Sequence, residues 1–291
     1  MSDESYVWTI SDFSGAASAL RRSFEKRFDL REGLTSPKRF VWEYFHIPNQ
    51  YRFLRTPAWE FFPSRLYREF HEELVRYGRR ELGCHDVSPV WLSAYVDGAY
   101  QRWHRDAPHG AWAFVFSLSP RSRRFRGGET VVRLNGKAQK TIRPNFNQLV
   151  VFDPRLEHHV RTVQGIEALN SGRVVMHGWF SNPRPYVAGS LKPQALARKI
   201  PELLETLDGL RDLRGVEGFF VFRFDIRRER GKYRTTNIDI LPSPLTLKGR
   251  VLSKRAEAQV FVAKRSMVRT IARWVFDHGA GSQITLPIGI Q

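Results

Sequence analysis

The chain has 291 residues, of which 42% are hydrophobic and 13% aromatic, enough apolar material for two modest folded cores. Its single cysteine, Cys84, excludes an intramolecular disulfide framework and favours a reducing compartment. The first residues are polar and acidic, and no stretch reaches the length of a membrane span, so we expect a cytoplasmic protein with no membrane partner. We attribute the net charge of +18 mainly to solvated surface, with an acidic substrate or nucleic acid as the alternative.

Two amphipathic helices are predicted in the first third of the chain. Residues 11–29 carry apolar side chains at helical spacing, with Ser11 as the N-cap. Pro63 and Ser64 introduce a second helix that reaches toward Leu82. We expect both helices to buttress one face of a β-sheet.

Short strands separated by Gly, Pro and Asn turns are predicted from about residue 90 to residue 180. The apolar runs at 113–118, 147–153 and 173–180 each have the length of a strand. Between them, Gly127 and Gly128 are expected to supply a bend with unusual backbone torsions. This spacing predicts a mainly β fold, either a barrel or a jelly roll.

A metal site is indicated by His104 and Asp106, which lie two residues apart and would share one face of a strand. With a second histidine they would form a set of two imidazoles and one carboxylate, which leaves three positions of an octahedral ion open and is typical of non-haem Fe(II) oxygenases. A closed zinc site would need four ligands, usually several of them cysteine. The second histidine would come from the doublet of His158 and His159, of which only one can face into a barrel.

The order of these motifs resembles the prolyl 4-hydroxylase-like branch of the 2-oxoglutarate- and Fe(II)-dependent dioxygenases. The shared motifs, within residues 95–180, are Tyr-x-x-Gly-x-x-x-x-x-His-x-Asp, Gly-Gly-Glu-Thr, Phe-Asp-Pro, His-x-Val-x-x-Val, and Gly-Arg before a strand that ends in Trp-Phe. The resemblance implies a double-stranded β-helix, or jelly-roll, core. It also implies Fe(II), 2-oxoglutarate and O₂ as cofactors, with ascorbate as a supporting reductant.

By this resemblance, the iron ligands would be His104, Asp106 and His158. Val160 and Val163 match the family's spacing when His158 is the ligand, and His159 is the alternative.

For the co-substrate, the resemblance implies that Arg173 pairs with the distal carboxylate of 2-oxoglutarate and that Tyr95 lies near it. Arginine suits this role because its fixed fork of donors matches a carboxylate. The loop 164–172 is longer than the pattern suggests, so Arg161 is the alternative anchor.

Aromatic residues and histidines around these motifs have less specific interpretations. We predict that Trp179 and Phe180 pack in the core and that His177 is a hydrogen-bonded core histidine. Trp103, His109 and Trp112 flank the metal segment, where they either rim a substrate pocket or have no role in the site.

A separate C-terminal module is predicted after a helix at residues 193–213. Strands at 219–226 and 232–241, a helix at 256–276 and a strand at 282–290 give a small α+β domain of β-β-α-β order, similar to the C-terminal domain of TonB-type energy transducers. We expect it to bind a protein or to dimerise through an open sheet edge. The expected domains are a dioxygenase at 1–185, a helical linker at 186–214 and this module at 215–291.

Three functions are compatible with this sequence. The first is hydroxylation of an unactivated C–H bond in a peptidyl or amino-acid-like substrate, with release of succinate and CO₂. The second is oxidative demethylation of nucleic acid, favoured by the basic loop 121–126 but disfavoured because Trp179, rather than a second arginine, stands six residues after Arg173. The third is a non-catalytic binding protein on the same scaffold.

Overall fold

The computed structural model describes residues 6–28, 42–122, 124–134, 138–166, 169–208, 213–248 and 250–290. They form two compact units. The barrel unit contains the described residues of Val7–Val75 and Asp86–Ser181. The second unit contains Tyr6, Arg76–His85 and the described residues from Asn182 onward. The domain boundaries expected from the sequence, after residues 185 and 214, remain a prediction.

One twelve-stranded antiparallel sheet builds the barrel unit, in the order β1-β10-β7-β12-β5-β3-β6-β11-β8-β9, with β2 on β3 and β4 on β12. Its strands are β1 Val7–Ile10, β2 Glu43–Ile47, β3 Tyr51–Pro57, β4 Cys84–Val87, β5 Trp91–Tyr95, β6 Tyr100–His104, β7 Trp112–Ser117, β8 Thr130–Arg133, β9 Gln139–Ile142, β10 Gln148–Phe152, β11 His158–Val160 and β12 Arg173–Pro183. The sheet curls on itself, and the predicted jelly-roll core is confirmed. Neither β1 nor the β2–β3 hairpin was predicted from the sequence.

Two helices pack against this sheet as expected. They are α1 Ala17–Phe28 and α3 Ser64–Tyr77, with the short α2 Ala58–Phe61 before α3 and a π-helical turn Gly78–Leu82 after it. The ring of Phe70 lies 4.7 Å from that of Phe116 on β7, which places α3 against the sheet. The prediction that Ser11 caps α1 is wrong, because the helix begins at Ala17 and the hydroxyl of Ser14 accepts from the amide of Ala16.

The second unit is a six-stranded sheet with helices, in the order β13-β18-β14-β15-β17 and with β16 on β14. Its elements are β13 Tyr186–Ala188, α4 Pro193–Ala197, α5 Ile200–Asp208, β14 Val216–Glu229, β15 Lys232–Leu241, β16 Leu245–Leu247, α6 Lys254–Ala272, β17 Val275–Phe276 and β18 Ser282–Ile290. Its apolar core includes Phe222, Met267 and Trp274, all fully or almost fully buried. A second sheet domain at the C-terminus is thus confirmed, whereas the resemblance to TonB-type domains stays a prediction.

Two predicted helices of this unit have other boundaries. The helix expected at 193–213 is split after Ala197, because Pro201 lacks an N–H and is accommodated only in the first turn of a new helix; residues 209–212 lie outside the described chain. The helix expected to reach Phe276 ends at Ala272, since Val275 and Phe276 pair with Arg234 and Tyr233 as a short strand.

Within the described residues, no helix combines the length and the apolar character needed to cross a membrane.

Candidate metal centre

Adjacent strands bring two histidines face to face inside the barrel unit. His104 ends β6 and His158 begins β11, and the two residues are direct cross-strand partners. Their rings lie 4.1 Å apart. His158 is 5% exposed. The register of β6 and β11 therefore presents two imidazoles to the same point.

Asp106 supplies a carboxylate to this point from a loop. We predicted that it shares a strand face with His104, which is wrong because β6 ends at His104. The backbone amide of Asp106 instead donates to the carbonyl of Pro154, and its Oδ2 accepts from the indole Nε1 of Trp179 at 3.2 Å. Its Oδ1 lies 3.4 Å from His104 Nε2, and its Oδ2 lies 3.6 Å from His158 Nε2. One donor atom from each of the three residues lies within 4.8 Å of the others.

The neighbouring His159 points elsewhere. Its ring lies 4.2 Å from that of Trp103, which is 36% exposed, and it is not part of the cluster. The alternation expected for consecutive strand residues accordingly separates His158 from His159.

The donor set fits a divalent transition metal. The Nδ1 atoms of His104 and His158 lie 2.8 and 3.0 Å from the carbonyl oxygens of Arg102 and Leu156. Since a carbonyl can only accept, each Nδ1 carries the proton and each Nε2 keeps its lone pair for a metal. Two such imidazoles and one carboxylate make the facial set used by non-haem Fe(II) oxygenases.

The electrostatics of the cluster differ between its two imidazoles. Burial lowers the pKa of His158 to about 4, which keeps its imidazole neutral near neutral pH. Burial also opposes the charged form of His104, but the Asp106 carboxylate and the Arg102 carbonyl together raise the pKa of His104 above its usual value. Burial acts to raise the pKa of Asp106, yet the two imidazoles hold it below the usual range, so this ligand is a carboxylate.

Arg173 lies in the same cavity with unused donors. It begins β12, pairs with Tyr95 of β5 and is 2% exposed. Its Nη2 donates to Thr130 Oγ1 at 3.1 Å, while Nε and Nη1 are buried without an acceptor among the residues that the structure describes. An anionic ligand would supply an acceptor that these donors lack. Arg161, the alternative anchor, is exposed.

Tyr95 and Gln101 connect Arg173 to the metal cluster. The guanidinium of Arg173 lies 4.4 Å above the Tyr95 ring. The Tyr95 hydroxyl donates to Gln101 Oε1 at 3.2 Å, and Gln101 Nε2 lies 3.0 Å from His104 Nε2. Burial is also the main cause of the raised pKa of Tyr95, so its hydroxyl stays protonated. Gln101 was not predicted from the sequence, because a polar strand residue next to a ligand is an unspecific signal. Thr130 was noted only as the end of the Gly-Gly-Glu-Thr motif and was given no role.

The cavity around these groups measures about 260 Å³ and also receives side chains that were given other roles. Trp179 was expected in the core but lines the cavity. It lies an even number of residues from Arg173 and His177 along β12, so all three side chains point to the inward face. His177 is half-buried, its Nε2 lies 2.9 Å from Ser93 Oγ, and burial lowers its pKa to about 4. His109 lines the cavity against Trp179.

Other candidate residues lie outside the cavity. Trp112 is fully buried against Trp8, and Trp103 packs on His159. The described arginines of the basic loop are exposed and do not line the cavity, and the guanidinium of Arg121 lies over the Phe146 ring. The described arginines of the loop 121–126 therefore do not contact the metal cluster.

Residues 90–181 match the family model of the 2OG-Fe(II) oxygenase superfamily. This segment includes the metal cluster, Tyr95 and Arg173. The cofactors implied by this family are Fe(II), 2-oxoglutarate and O₂, and the donor set described above fits them. No curated protein matches the chain.

Among solved structures, the chain is similar to several prolyl hydroxylases. One is a prolyl hydroxylase from Trichoplax adhaerens in complex with a hypoxia inducible factor peptide fragment, with 16% identity, coverage of 61% of this chain and 84% of that chain, and a TM-score of 0.45. Another is a prolyl-4-hydroxylase from Pseudomonas putida, with 17% identity, coverage of 60% and 92%, and a TM-score of 0.41. A third is a viral collagen prolyl hydroxylase from Paramecium Bursaria Chlorella virus-1, with 15% identity, coverage of 60% and 94%, and a TM-score of 0.41.

Proposed function

We propose that the chain is a 2-oxoglutarate- and Fe(II)-dependent dioxygenase that hydroxylates an unactivated C–H bond of a peptidyl or amino-acid-like substrate and releases succinate and CO₂. The match of residues 90–181 to the family model of the 2OG-Fe(II) oxygenase superfamily supports this proposal. The observation that carries this proposal is the cluster of His104, Asp106 and His158 in one cavity with a buried, partly unpaired Arg173. Prolyl 4-hydroxylase-like specificity, which the motif order implies, is part of the proposal.

In this proposal, His104, Asp106 and His158 hold the iron. The backbone carbonyls of Arg102 and Leu156 fix the two imidazoles in the tautomer that presents Nε2. The Trp179 indole fixes the orientation of the Asp106 carboxylate.

Arg173 holds the distal carboxylate of 2-oxoglutarate with its unpaired guanidinium N–H groups, while Nη2 also donates to Thr130. The ring of Tyr95 supports the guanidinium plane from one side. Burial of the unpaired Arg173 guanidinium costs desolvation free energy. A dianionic co-substrate offsets this cost by pairing with the cation.

Fe(II) together with 2-oxoglutarate supplies the reductive activation of O₂ that hydroxylation requires. The protein's contribution is to bind and orient. Phe45, Tyr51 and Phe53 form an apolar wall that limits the access of water, and His177 stays neutral, so it adds no second charge beside Asp106.

The test is succinate formation from 2-oxoglutarate by the purified full chain with Fe(II) and ascorbate. Poly(L-proline), proline peptides and free amino acids serve as substrates, and mass spectrometry detects the gain of one oxygen atom. Wild type should form succinate, and Asp106→Ala should reduce the rate more than about 100-fold because it removes a ligand. His159→Ala is the matched control and should retain activity. Equal rates in wild type and Asp106→Ala would refute the proposal.

The second unit has a separate proposed role. We propose that its six-stranded sheet binds a protein or a second copy of the chain along an open edge, as such edges do when they are not covered. Size-exclusion chromatography with light scattering distinguishes dimerisation from monomeric behaviour. The cytoplasmic location expected from the sequence also stays a prediction.

A further inference from the structure

A second guanidinium, that of the half-buried Arg55, lines the cavity and is not used by the metal cluster or by the proposed co-substrate anchor. Arg55 lies on β3, opposite Glu43 of β2 and Ser93 of β5. Its side chain is 20% exposed, and its Nε is buried without an acceptor among the residues described here. An unpaired donor on a cation is costly when it is buried, and such groups commonly serve a ligand.

Aromatic rings from both flanking strands lie against this guanidinium. The Arg55 Cζ is 3.7 Å from the ring centroid of Phe45 on β2 and 4.0 Å from that of Trp91 on β5. Such stacking stabilises the cation and fixes the plane of the fork. The N–H groups then point outward from the edge of the plane, where a carboxylate can accept two parallel hydrogen bonds.

Glu43 is a weak intramolecular partner. Its Oε2 lies 3.7 Å from Arg55 Nη2, beyond hydrogen-bond distance, and its side chain is 56% exposed. Exposed ion pairs of this kind contribute little to stability. A ligand carboxylate could therefore replace Glu43 at little cost.

The charges of the groups in the cavity also leave Arg55 without a buried anionic partner. Three arginines line the cavity, and one of them, Arg105, is 46% exposed and lies 3.8 Å from Glu157. Under the proposed function, the Fe(II) ion, the Asp106 carboxylate, the 2-oxoglutarate dianion and Arg173 sum to zero. Arg55 is then the cation that still lacks a buried counter-charge.

We propose that Arg55 is a specificity-determining residue that binds a carboxylate of the substrate to be hydroxylated. The inference rests on the proposed function and narrows its substrate class to molecules with a carboxylate near the hydroxylated carbon. The carboxylate belongs either to a free amino acid or to the C-terminal end of a peptide. The cavity of about 260 Å³ must also hold 2-oxoglutarate, so only a small part of any substrate enters it. Phe45, Tyr51 and Phe53 offer an apolar wall for its carbon chain.

The test measures binding to the full chain loaded with Mn(II) and 2-oxoglutarate, which does not turn over, by isothermal titration calorimetry. The probes are the proteinogenic L-amino acids, their N-acetyl derivatives as mimics of a peptide end, and the corresponding carboxamides. At least one carboxylate should bind with a millimolar or lower Kd, and its carboxamide about tenfold or more weakly. Preference for the free or the acetylated acid identifies the source of the carboxylate.

Three variants decide the role of the residue. Arg55→Gln should weaken the carboxylate probe about 10- to 100-fold and abolish its advantage over the carboxamide, while the Kd of 2-oxoglutarate changes less than about threefold. Arg55→Lys should retain part of the affinity. Glu43→Gln is the matched control on the other side of the ion pair and should bind the probe as tightly as wild type or more tightly. If Arg55→Gln does not fold, Arg55→Lys decides the test, because it keeps the charge but removes the fork of donors that matches a carboxylate.

The proposal is overturned if no carboxylate binds the wild type, if carboxamides bind equally well, or if Arg55→Gln binds like wild type. Loss of 2-oxoglutarate from Arg55→Gln but not from Arg173→Gln would make Arg55 the co-substrate anchor and would also overturn it. The proposed function fails separately, if the wild type binds neither Mn(II) nor 2-oxoglutarate.

Discussion

At the scale of single residues, backbone hydrogen bonds orient the imidazoles of His104 and His158 in the absence of a metal. Each ring donates Nδ1–H to the carbonyl oxygen two residues before it, so both rings are held in one tautomer. Outer hydrogen bonds of this type typically change metal affinity 10- to 100-fold. The same local hydrogen bond therefore orients both metal-binding rings.

His158→Ala should weaken binding of Mn(II) by more than about 100-fold, because it removes one of the three ligands of the cluster. His159→Ala, the neighbouring change, should alter the Kd less than about threefold, since that ring packs on Trp103 outside the cluster. Electron paramagnetic resonance of free Mn(II) measures both values. A stronger loss in His159→Ala than in His158→Ala would show that the cluster is assigned to the wrong histidine.

The sequence allowed part of the site to be predicted. His104, Asp106, His158 and Arg173 form a recognisable order of motifs, and the structure brings them into one cavity. Trp179 could also have been placed there, because counting by two along β12 from Arg173 puts it on the inward face.

Arg55 could not have been predicted as a cavity residue. Its position depends on the pairing of β3 with β5, and β3 is separated from the motifs by two helices. Nothing local to residue 55 specifies that pairing.

At the scale of elements, a glycine turn leads from the basic loop into β8 and positions Thr130 beside Arg173. Gly127 and Gly128 have φ of +74° and +75°, as the sequence suggested for a bend. A Cβ on Gly127 would overlap the carbonyl oxygen of Thr162, whereas a Cβ on Gly165, which has φ of +75°, would meet nothing within 4 Å.

Gly127→Ala should therefore lower the free energy of unfolding by more than about 3 kcal/mol, because torsional strain and a backbone collision add together. Gly165→Ala should cost about 1–2 kcal/mol from torsional strain alone. Urea denaturation followed by circular dichroism compares the two variants. Equal losses would mean that the Thr162 carbonyl moves away without cost.

Element boundaries were predicted less well than element types. Helix α6 has the expected apolar spacing, with Val260, Ala263 and Met267 buried, but its end was placed four residues too late. Periodicity identifies the helix, whereas its end depends on the pairing of β17 with β15, which is a tertiary contact.

Lys264 introduces a charge into the partly buried side of α6. Burial lowers its pKa from 10.5 to about 8, so the folded state binds the proton less tightly than the unfolded chain. The unfolded state consequently carries more protons between about pH 8 and pH 10.5, and the stability of the wild type should rise with pH across that window.

Lys264→Met should raise the free energy of unfolding by about 1–3 kcal/mol at pH 7, and this advantage should shrink as the pH rises from about 8 to 10.5. Lys254→Met, on the exposed start of the same helix, should change stability by less than about 0.5 kcal/mol at every pH. Denaturant titrations at several pH values provide the comparison. A constant difference across the window would contradict the assigned cause.

At the scale of the whole molecule, the proposed cofactors bind entirely within the barrel unit. All residues of the metal cluster and all residues that line its cavity belong to that unit. The second unit has its own apolar core around Phe222, Met267 and Trp274. Ligands that bind only a folded unit stabilise that unit by mass action.

Calorimetric unfolding of the full chain should therefore resolve two transitions, of which only one responds to Mn(II) with 2-oxoglutarate. At ligand concentrations about 100 times Kd, the stabilisation is about 2.7 kcal/mol, which corresponds to an upward shift in Tm of about 5–11 °C for a unit of this size. Met267→Ala, in the core of the second unit, should lower the other Tm and leave the ligand-induced shift unchanged. Observation of one transition that shifts as a whole would contradict this expectation, because it would mean that the two units unfold as a single cooperative structure.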